Sequence, residues 1–150
     1  MALQTNYPDT QPAAVLGAQA TMLPGTIISR NVETAAGIGF GRAVAQGAAD
    51  KGIVLMGTGA LKFVGITLLD RSAAGSASSP DAFPQRASAR VLTEGDVWVT
   101  AAVAVAAGDP VYVTGAGTFT NVATDNTAIT GARWDTSTTA AGQLAVVRLG

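Results

Sequence analysis

The clearest hydrophobic pattern in this sequence is a two-residue alternation that begins near Arg90 and extends to Val105. One set of alternate positions carries five valines, and the other set carries acidic residues, a tryptophan and a threonine. The first set is Val91, Val97, Val99, Val103 and Val105, and the second is Glu94, Asp96, Trp98 and Thr100. Because successive side chains of a strand point to opposite faces, this pattern predicts a strand with one buried face.

The sequence after this strand predicts a hairpin. Gly108-Asp109-Pro110 should end the strand, since proline fixes φ and lacks an N–H group, and Val111–Val113 should begin its partner. Shorter apolar runs predict the remaining strands of the sheet, at 26–30, 38–44, 52–56, 61–69, 118–122, 128–130, 131–135 and 143–149. The sequence has no amphipathic helical stripe, although 45–49 and 101–107 could each form a turn or two. The fold class predicted is therefore all-β, with a minor helix possible.

Two segments lack any periodicity. Residues 1–25 are polar at their start and interrupted by Pro8 and Pro12, which predicts an extended N-terminal arm; a frayed terminus is the alternative. Residues 71–89 are rich in serine, alanine and proline, which predicts a surface loop. Residues 26–150 would then form a single β-rich domain that carries this loop.

The composition favours a protein that packs against other protein. Hydrophobic residues make up 48% of the chain, but aromatic residues make up 5% and charged residues 13%, and there are 18 glycines. A formal net charge of −1 provides no basic field to gather phosphates, so we expect no nucleic-acid partner. No apolar run approaches the roughly 20 residues that span a bilayer, and the N-terminus has no signal-peptide pattern. We therefore expect no membrane partner and synthesis in a cytoplasm.

Candidate catalytic groups are few. The chain has no cysteine and no histidine, so thiolate and imidazole chemistry are excluded and no cofactor or metal is expected. The glycines of 37–41 do not form a phosphate-binding loop, because Arg42 stands where a GxGxxG motif needs its last glycine. Glu94 and Asp96 could act as a carboxylate pair, as in glycoside hydrolysis, but acidic residues at the start of a strand more often cap turns. We expect a non-enzymatic protein.

Three large aromatic residues of the second half are candidates for binding. Trp98, Tyr112 and Trp134 could stack on sugar rings or anchor a protein interface, and filling the core is the alternative for each. Trp98 is the best interface candidate, because it alternates with the valines of its strand and should face away from them.

Several strings of the sequence resemble those of a known family. They are TIISRNVETAAGIGFGRAV (26–44), FVGITLLDRS (63–72), VLTEGDVWV (91–99), AAGDPVYV (106–113), GARWDTS (131–137) and LAVVRLG (144–150). On these strings the chain resembles the bacteriophage head cement, or capsid decoration, proteins. The resemblance implies a small β-barrel or sandwich with a β-tulip-like second half. It also implies a symmetric oligomer on the outer surface of the expanded capsid, between subunits of the major capsid protein.

Residue roles follow from this interpretation as expectations. In the arm, Tyr7, Pro8, Leu16, Met22 and Leu23 are the predicted capsid contacts. Trp98, Tyr112 and Trp134 are the predicted subunit contacts of a homo-oligomer, with a trimer favoured over a dimer. The alternative function is a carbohydrate-binding module on the virion surface, with Trp98 and Trp134 as its platforms.

Overall fold

The fold is entirely β over the part of the chain that the structure, a computed structural model, describes: residues 14–57, 59 and 61–150. Eleven strands and no helix lie within these residues, so the all-β prediction is confirmed and neither alanine-rich segment is helical. The strands are β1 (Thr26–Val32), β2 (Ile38–Gly39), β3 (Ala43–Gln46), β4 (Gly52–Leu55), β5 (Phe63–Thr67), β6 (Ala82–Phe83), β7 (Ser88–Thr100), β8 (Pro110–Val113), β9 (Phe119–Thr120), β10 (Thr127–Trp134) and β11 (Leu144–Leu149).

Most strands lie where the apolar runs predicted them, with two corrections. The predicted strand 38–44 is interrupted at Phe40–Arg42, where Gly41 has φ +63° and the chain turns between β2 and β3. The segments 128–130 and 131–135 form one strand, β10, that is irregular around Gly131. In both places a glycine occupies a left-handed conformation that pattern alone does not locate.

The first half of the chain closes into a five-stranded barrel. The strand order is β1–β4–β3–β5–β7, and an antiparallel pairing of β7 with β1 completes the ring. All neighbours are antiparallel except β1 and β4, which run parallel through Asn31–Gly52 and Val32–Ile53.

The second half adds the order β7–β11–β10–β8–β9 to the same sheet. A parallel bridge between Ala101, just after β7, and Phe119 of β9 brings the two ends of this half together. The Ala102 N–H group donates to the Phe119 carbonyl oxygen at 2.8 Å there. Strand β7 therefore belongs to both halves of the molecule.

The faces of β7 do not follow a single alternation. The pairing with β1 shifts between Thr26–Glu94 and Ile27–Leu92, and Gly95 has φ +120°. Before this bulge Val91 packs into a cluster formed within the first barrel, whereas after it Val97 and Val99 pack into a larger cluster that spans both halves and includes Leu92. The prediction that these three valines share one face is therefore wrong, because the bulge reverses the phase of the alternation.

The predicted hairpin of β7 with 111–113 is also wrong. Strands β11 and β10 lie between β7 and β8, so these two consecutive strands are not neighbours. Val103 and Val105 lie in the irregular segment that joins the two strands, and Val105 is buried there. The chain thus leaves the sheet after Thr100 and re-enters it as β8, with β11 and β10 between β8 and β7.

The segment 71–89 is largely a loop, as predicted, but it also contributes structure. Its residues Ala82–Phe83 form β6, which pairs with β2, and Ser88–Ala89 already belong to β7. The Phe40 and Phe83 rings meet edge to face at 5.2 Å. The small β2–β6 sheet covers the cluster of the first barrel with Ile38 and Phe83.

Candidate functional site

The residues that precede β1 lie along the second half of β7. Gly17 N–H donates to the Trp98 carbonyl oxygen at 2.9 Å, and Trp98 N–H donates to the Ala18 carbonyl oxygen at 2.9 Å. Ala20 N–H donates to the carbonyl oxygen of Asp96 at 3.3 Å. This chain's own sheet therefore holds the segment 17–20, and the folded unit begins before Thr26.

Leu16 is fixed by packing. It is half-buried, and a Cβ added to Gly41 would lie 2.6 Å from Leu16 Cδ1. The side chain of Leu16 thus lies directly on the turn between β2 and β3. Of the other predicted arm contacts, Tyr7 and Pro8 lie outside the described residues.

A buried carboxylate anchors the next turn of the chain. Asp96 is 1% exposed, and its Oδ2 accepts a 2.6 Å hydrogen bond from Thr21 Oγ1 while its Oδ1 accepts one of 3.3 Å from Thr21 N–H. Arg148 Nη2 lies 3.9 Å from Asp96 Oδ2 and 3.1 Å from Asp135 Oδ2. The negative charge of Asp96 is thereby paired and hydrogen-bonded, as a buried charge must be.

This anchored turn presents two apolar side chains to solvent. Leu23 N–H donates to Thr21 Oγ1 at 3.2 Å, and the loop of 21–23 carries Met22, which is fully exposed, and Leu23, which is 46% exposed. The other exposed large apolar residues among those described are Val15, Ile27 and Val122. Met22 and Leu23 are consecutive in the sequence, so we call them the Met22–Leu23 loop.

The three predicted aromatic contacts differ in exposure. Trp98 and Tyr112 are half-buried, on β7 and β8. Trp134 is 0% exposed and belongs to the larger core cluster, so its side chain offers no surface to a subunit or a sugar. The core-filling alternative therefore holds for Trp134. Its burial also removes one of the two platforms of the carbohydrate-binding alternative.

Glu94 and Asp96 have separate structural partners. Glu94 is exposed and accepts a 3.2 Å hydrogen bond from Thr26 Oγ1, whereas Asp96 is buried against Thr21 and Arg148. Gly95, whose φ is +120°, stands between the two residues along the strand. Their partners favour the turn-capping interpretation over a shared proton.

Three other carboxylates accept hydrogen bonds within loops and turns, and these hydrogen bonds lower their pKa. Hydrogen bonds from Ala49 N–H and then Ala48 N–H lower the pKa of Glu33. The Ser72 hydroxyl and N–H group lower the pKa of Asp70. The Asn121 side-chain amide and the Ala106 N–H group lower the pKa of Asp109. In each case donors aimed at the charged form favour it.

Within the described part of the chain, no group of three or more acidic, histidine or cysteine side chains is gathered as a metal site would require. No helix within those residues has the length and apolar character needed to cross a membrane.

Comparisons with known proteins identify the class and then the family. The fold is similar to a chain from the capsid of Myoviridae phage XM1, with a TM-score of 0.76, 21% sequence identity, and coverage of 100% of this chain and 98% of that one. A comparison with curated proteins finds no match. Residues 3–150 match the family described as structural cement protein (E217 gp24/Pam3 gp6), so the chain belongs to that family. Its role is therefore that of a structural cement protein of a phage.

Proposed function

We propose that this protein binds the outer surface of the expanded phage capsid between major capsid protein subunits and stabilises the shell without catalysing a reaction. Membership of the structural cement family supports a partner in the capsid. The observation that carries the proposal is the Met22–Leu23 loop, which places two large apolar side chains in solvent on a turn fixed by Asp96. In a family of cement proteins, two adjacent apolar side chains held in solvent are a candidate for the surface that the shell covers.

The energetics of such a contact are favourable. Full burial of a methionine or leucine side chain contributes about 1.5–3 kcal/mol. Because Thr21 is already hydrogen-bonded to Asp96, little further ordering of the loop is needed on binding, and pre-ordering of this kind raises affinity. The loop is therefore suited to a contact that is individually modest and repeated over the shell.

To make several identical contacts with the shell at once, the protein must be an oligomer. We propose a homotrimer, with a dimer as the second candidate, and Trp98 and Tyr112 at the subunit contact because each keeps part of its side chain exposed. Identical contacts within one oligomer multiply through effective concentration, on the order of 10²–10⁴ over a single contact. The assembled shell then gains stability by mass action, because the oligomer binds the shell and not its separated subunits.

Tyr7 and Pro8 remain proposed capsid contacts in the arm. An extended segment can add to the sheet edge of a neighbour, with backbone hydrogen bonds giving the affinity. In β1, the side of 26–30 that faces away from β7 has no strand partner among the described residues. A segment of another chain could pair with this unpaired edge of β1 by strand addition, separately from the capsid contacts of Tyr7 and Pro8.

Co-sedimentation with intact, expanded, undecorated heads of the protein's own phage tests the function. The proteins are the wild type, the double variant Met22→Ser/Leu23→Ser and the control Val122→Ser, since Val122 is 45% exposed and lies elsewhere. We expect the wild type and the control to pellet saturably at a fixed ratio to the shell protein. The double variant should bind at least about tenfold more weakly.

The outcomes separate two claims. If the wild type does not pellet with intact heads, the cement proposal fails. If the wild type pellets and the double variant binds equally well, the protein is a cement but the Met22–Leu23 loop is not its contact. Light scattering of the free protein gives the subunit number, and Trp98→Ala should lower it if Trp98 lies at the subunit contact.

A further inference from the structure

Three cationic residues line one open groove on the first barrel. Arg30 of β1, Lys51 before β4 and Arg86 before β7 line it together with Ser29, Asn31 and Ser88. Backbone hydrogen bonds bring these segments together, from Asn31 N–H to the Lys51 carbonyl oxygen at 2.9 Å and from Arg86 N–H to the Val32 carbonyl oxygen at 2.8 Å. No acidic side chain is among the residues that line the groove.

The three cations have no carboxylate partner among the described residues. The ion pairs there join Arg133 and Arg148 to Asp96 and Asp135. Arg30 Nη1 donates to the carbonyl oxygen of Ser29 at 3.1 Å, and Arg30 Nε is buried without a partner within the described chain.

The acidic residue that follows Arg30 by three positions does not line the groove. Both carboxylate oxygens of Glu33 instead accept hydrogen bonds from the neighbouring turn, from Ala48 N–H at 2.8 Å and Ala49 N–H at 2.9 Å. Lys51 and Arg86 are exposed. The groove thus gathers three cationic side chains on a chain whose formal net charge is −1.

Arg86 occupies this place at a cost in backbone energy. Its φ is +69°, a region that glycine adopts freely and that other residues adopt at a cost of about 1–3 kcal/mol. The turn is held by the Arg86 hydrogen bond to Val32 and by Ala87 N–H donating to the Pro84 carbonyl oxygen at 3.1 Å. A glycine would make this turn without strain. The strained backbone therefore points to a use for the arginine side chain at this position.

We propose that this groove, the Arg30–Lys51–Arg86 groove, binds an acidic segment of the capsid shell protein; this rests on the proposed cement function. Arginine binds carboxylates through paired, charge-assisted hydrogen bonds. The Asn31 side-chain amide lines the same groove, as do the hydroxyls of Ser29 and Ser88, which are hydrogen-bonded to each other. Three cations suit one or two carboxylates. Nucleic acid is a poor occupant, because its affinity is built from many phosphate contacts.

The test uses a variant that removes two charges without harming the turn. Lys51→Gln removes an exposed cation, and Arg86→Gly removes another while relieving the positive φ, so the double variant should fold at least as stably as the wild type. The matched control is Lys62→Gln/Arg71→Gln, which removes two exposed cations that do not line the groove. Both double variants carry the same net charge.

Pelleting with intact expanded heads is measured for the wild type and both variants at about 50 and 300 mM salt, where screening differs strongly. We expect the groove variant to bind on the order of tenfold more weakly at low salt, with a weaker dependence on salt, and the control to stay within about twofold of the wild type. Equal binding by groove variant and control overturns the inference while leaving the cement function standing. A wild type that does not bind heads overturns the cement function, and this inference with it. A groove variant whose oligomer dissociates shows a contact between copies and also overturns the shell assignment.

Discussion

The hydroxyl of Thr21 donates a 2.6 Å hydrogen bond to the carboxylate of Asp96, which lies 75 residues further along the chain and is 1% exposed. The Thr21 N–H group donates to the second oxygen of the same carboxylate at 3.3 Å. The next residue, Met22, is fully exposed. A contact that stabilises the fold therefore also fixes the position of the candidate binding loop.

This contact should be visible in stability and in binding. Thr21→Val should lower the free energy of unfolding by about 1 kcal/mol, and Asp96→Asn by about 1–3 kcal/mol, because the change also removes the charge that faces Arg148. The exposed pair of Thr26 with Glu94 gives the control, and Thr26→Val should cost at most about 0.5 kcal/mol. Urea unfolding of the single and double variants measures the coupling of Thr21 with Asp96. Strictly additive effects would show that the two side chains do not act together.

Gly65 should not tolerate a side chain. A Cβ added there would overlap the Leu92 carbonyl oxygen and lie 2.6 Å from Val91 Cγ1, since β5 and β7 approach closely at this point. We expect Gly65→Ala to lower the free energy of unfolding by about 1–3 kcal/mol or to prevent folding. Gly39→Ala is the control, because its Cβ would meet nothing nearer than the Arg42 side chain at 3.9 Å and the Asp81 carbonyl oxygen at 4.0 Å, which are ordinary contact distances. Similar unfolding midpoints for the two variants would contradict this assignment.

The N-terminal segment should divide into two parts on truncation. Deletion of residues 1–13 should leave thermal unfolding unchanged and weaken binding to heads, as expected for an arm that contacts the capsid. Deletion of residues 1–20 should also cost at least about 2 kcal/mol, because it removes the hydrogen bonds of Gly17, Ala18 and Ala20 to β7. Full binding by the shorter deletion would show that the arm makes no contact. Unchanged stability of the longer one would show that the segment is dispensable for folding.

Stability should fall in acid partly through Glu33. Backbone hydrogen bonds from Ala49 and Ala48 lower its pKa from the ordinary value of 4.5. A carboxyl group whose pKa is lowered on folding stabilises the folded state above its unfolded pKa, and this stabilisation is lost as the pH falls through the folded pKa. Glu33→Gln should therefore flatten the dependence of unfolding free energy on pH between about pH 5 and pH 3. Asp70 and Asp109 shift in the same direction, so part of the slope should remain. A slope identical to that of the wild type would exclude a contribution from Glu33.

The two tryptophans should differ in fluorescence quenching. Trp134 is wholly buried, so in Trp98→Phe the remaining emission should resist acrylamide. Trp98 is half-buried, so in Trp134→Phe the emission should be quenched, and less so once the protein is bound to heads or in its oligomer. Trp134→Ala should cost about 3–5 kcal/mol, as large core truncations do. Ready quenching of Trp134 would contradict its place in the core.

The sequence predicted the class of fold and the positions of most strands, because these depend on local pattern. Runs such as 52–55 and 144–147 are apolar whatever they pair with. Pairing is not local, so the separation of β7 from β8 by two strands could not be read from Gly108-Asp109-Pro110. Alternation was misleading between Leu92 and Glu94, because a single bulge there reverses the faces of every later residue.

The candidate site was predicted in part for a similar reason. Met22 and Leu23 stood out as apolar residues in a turn beside Pro24 and Gly25, and both are exposed. The buried state of Asp96 was not predicted, since the same two-residue spacing suits an exposed carboxylate and its partner Thr21 is distant in sequence. The Arg30–Lys51–Arg86 groove was missed because its cations come from three separate segments.

The sharing of β7 between the two halves has a consequence for how the chain acquires its structure. Neither the first barrel nor the second half of the sheet can be completed until residues 88–100 are paired. The strands that pair with β7, namely β1, β5 and β11, mostly lie far from it along the chain. Folding should therefore be slow and all-or-none, with no half that is stable alone. A single proteolytic cut within β7 should unfold both halves at once. Only copies with an intact β7 should therefore bind a partner.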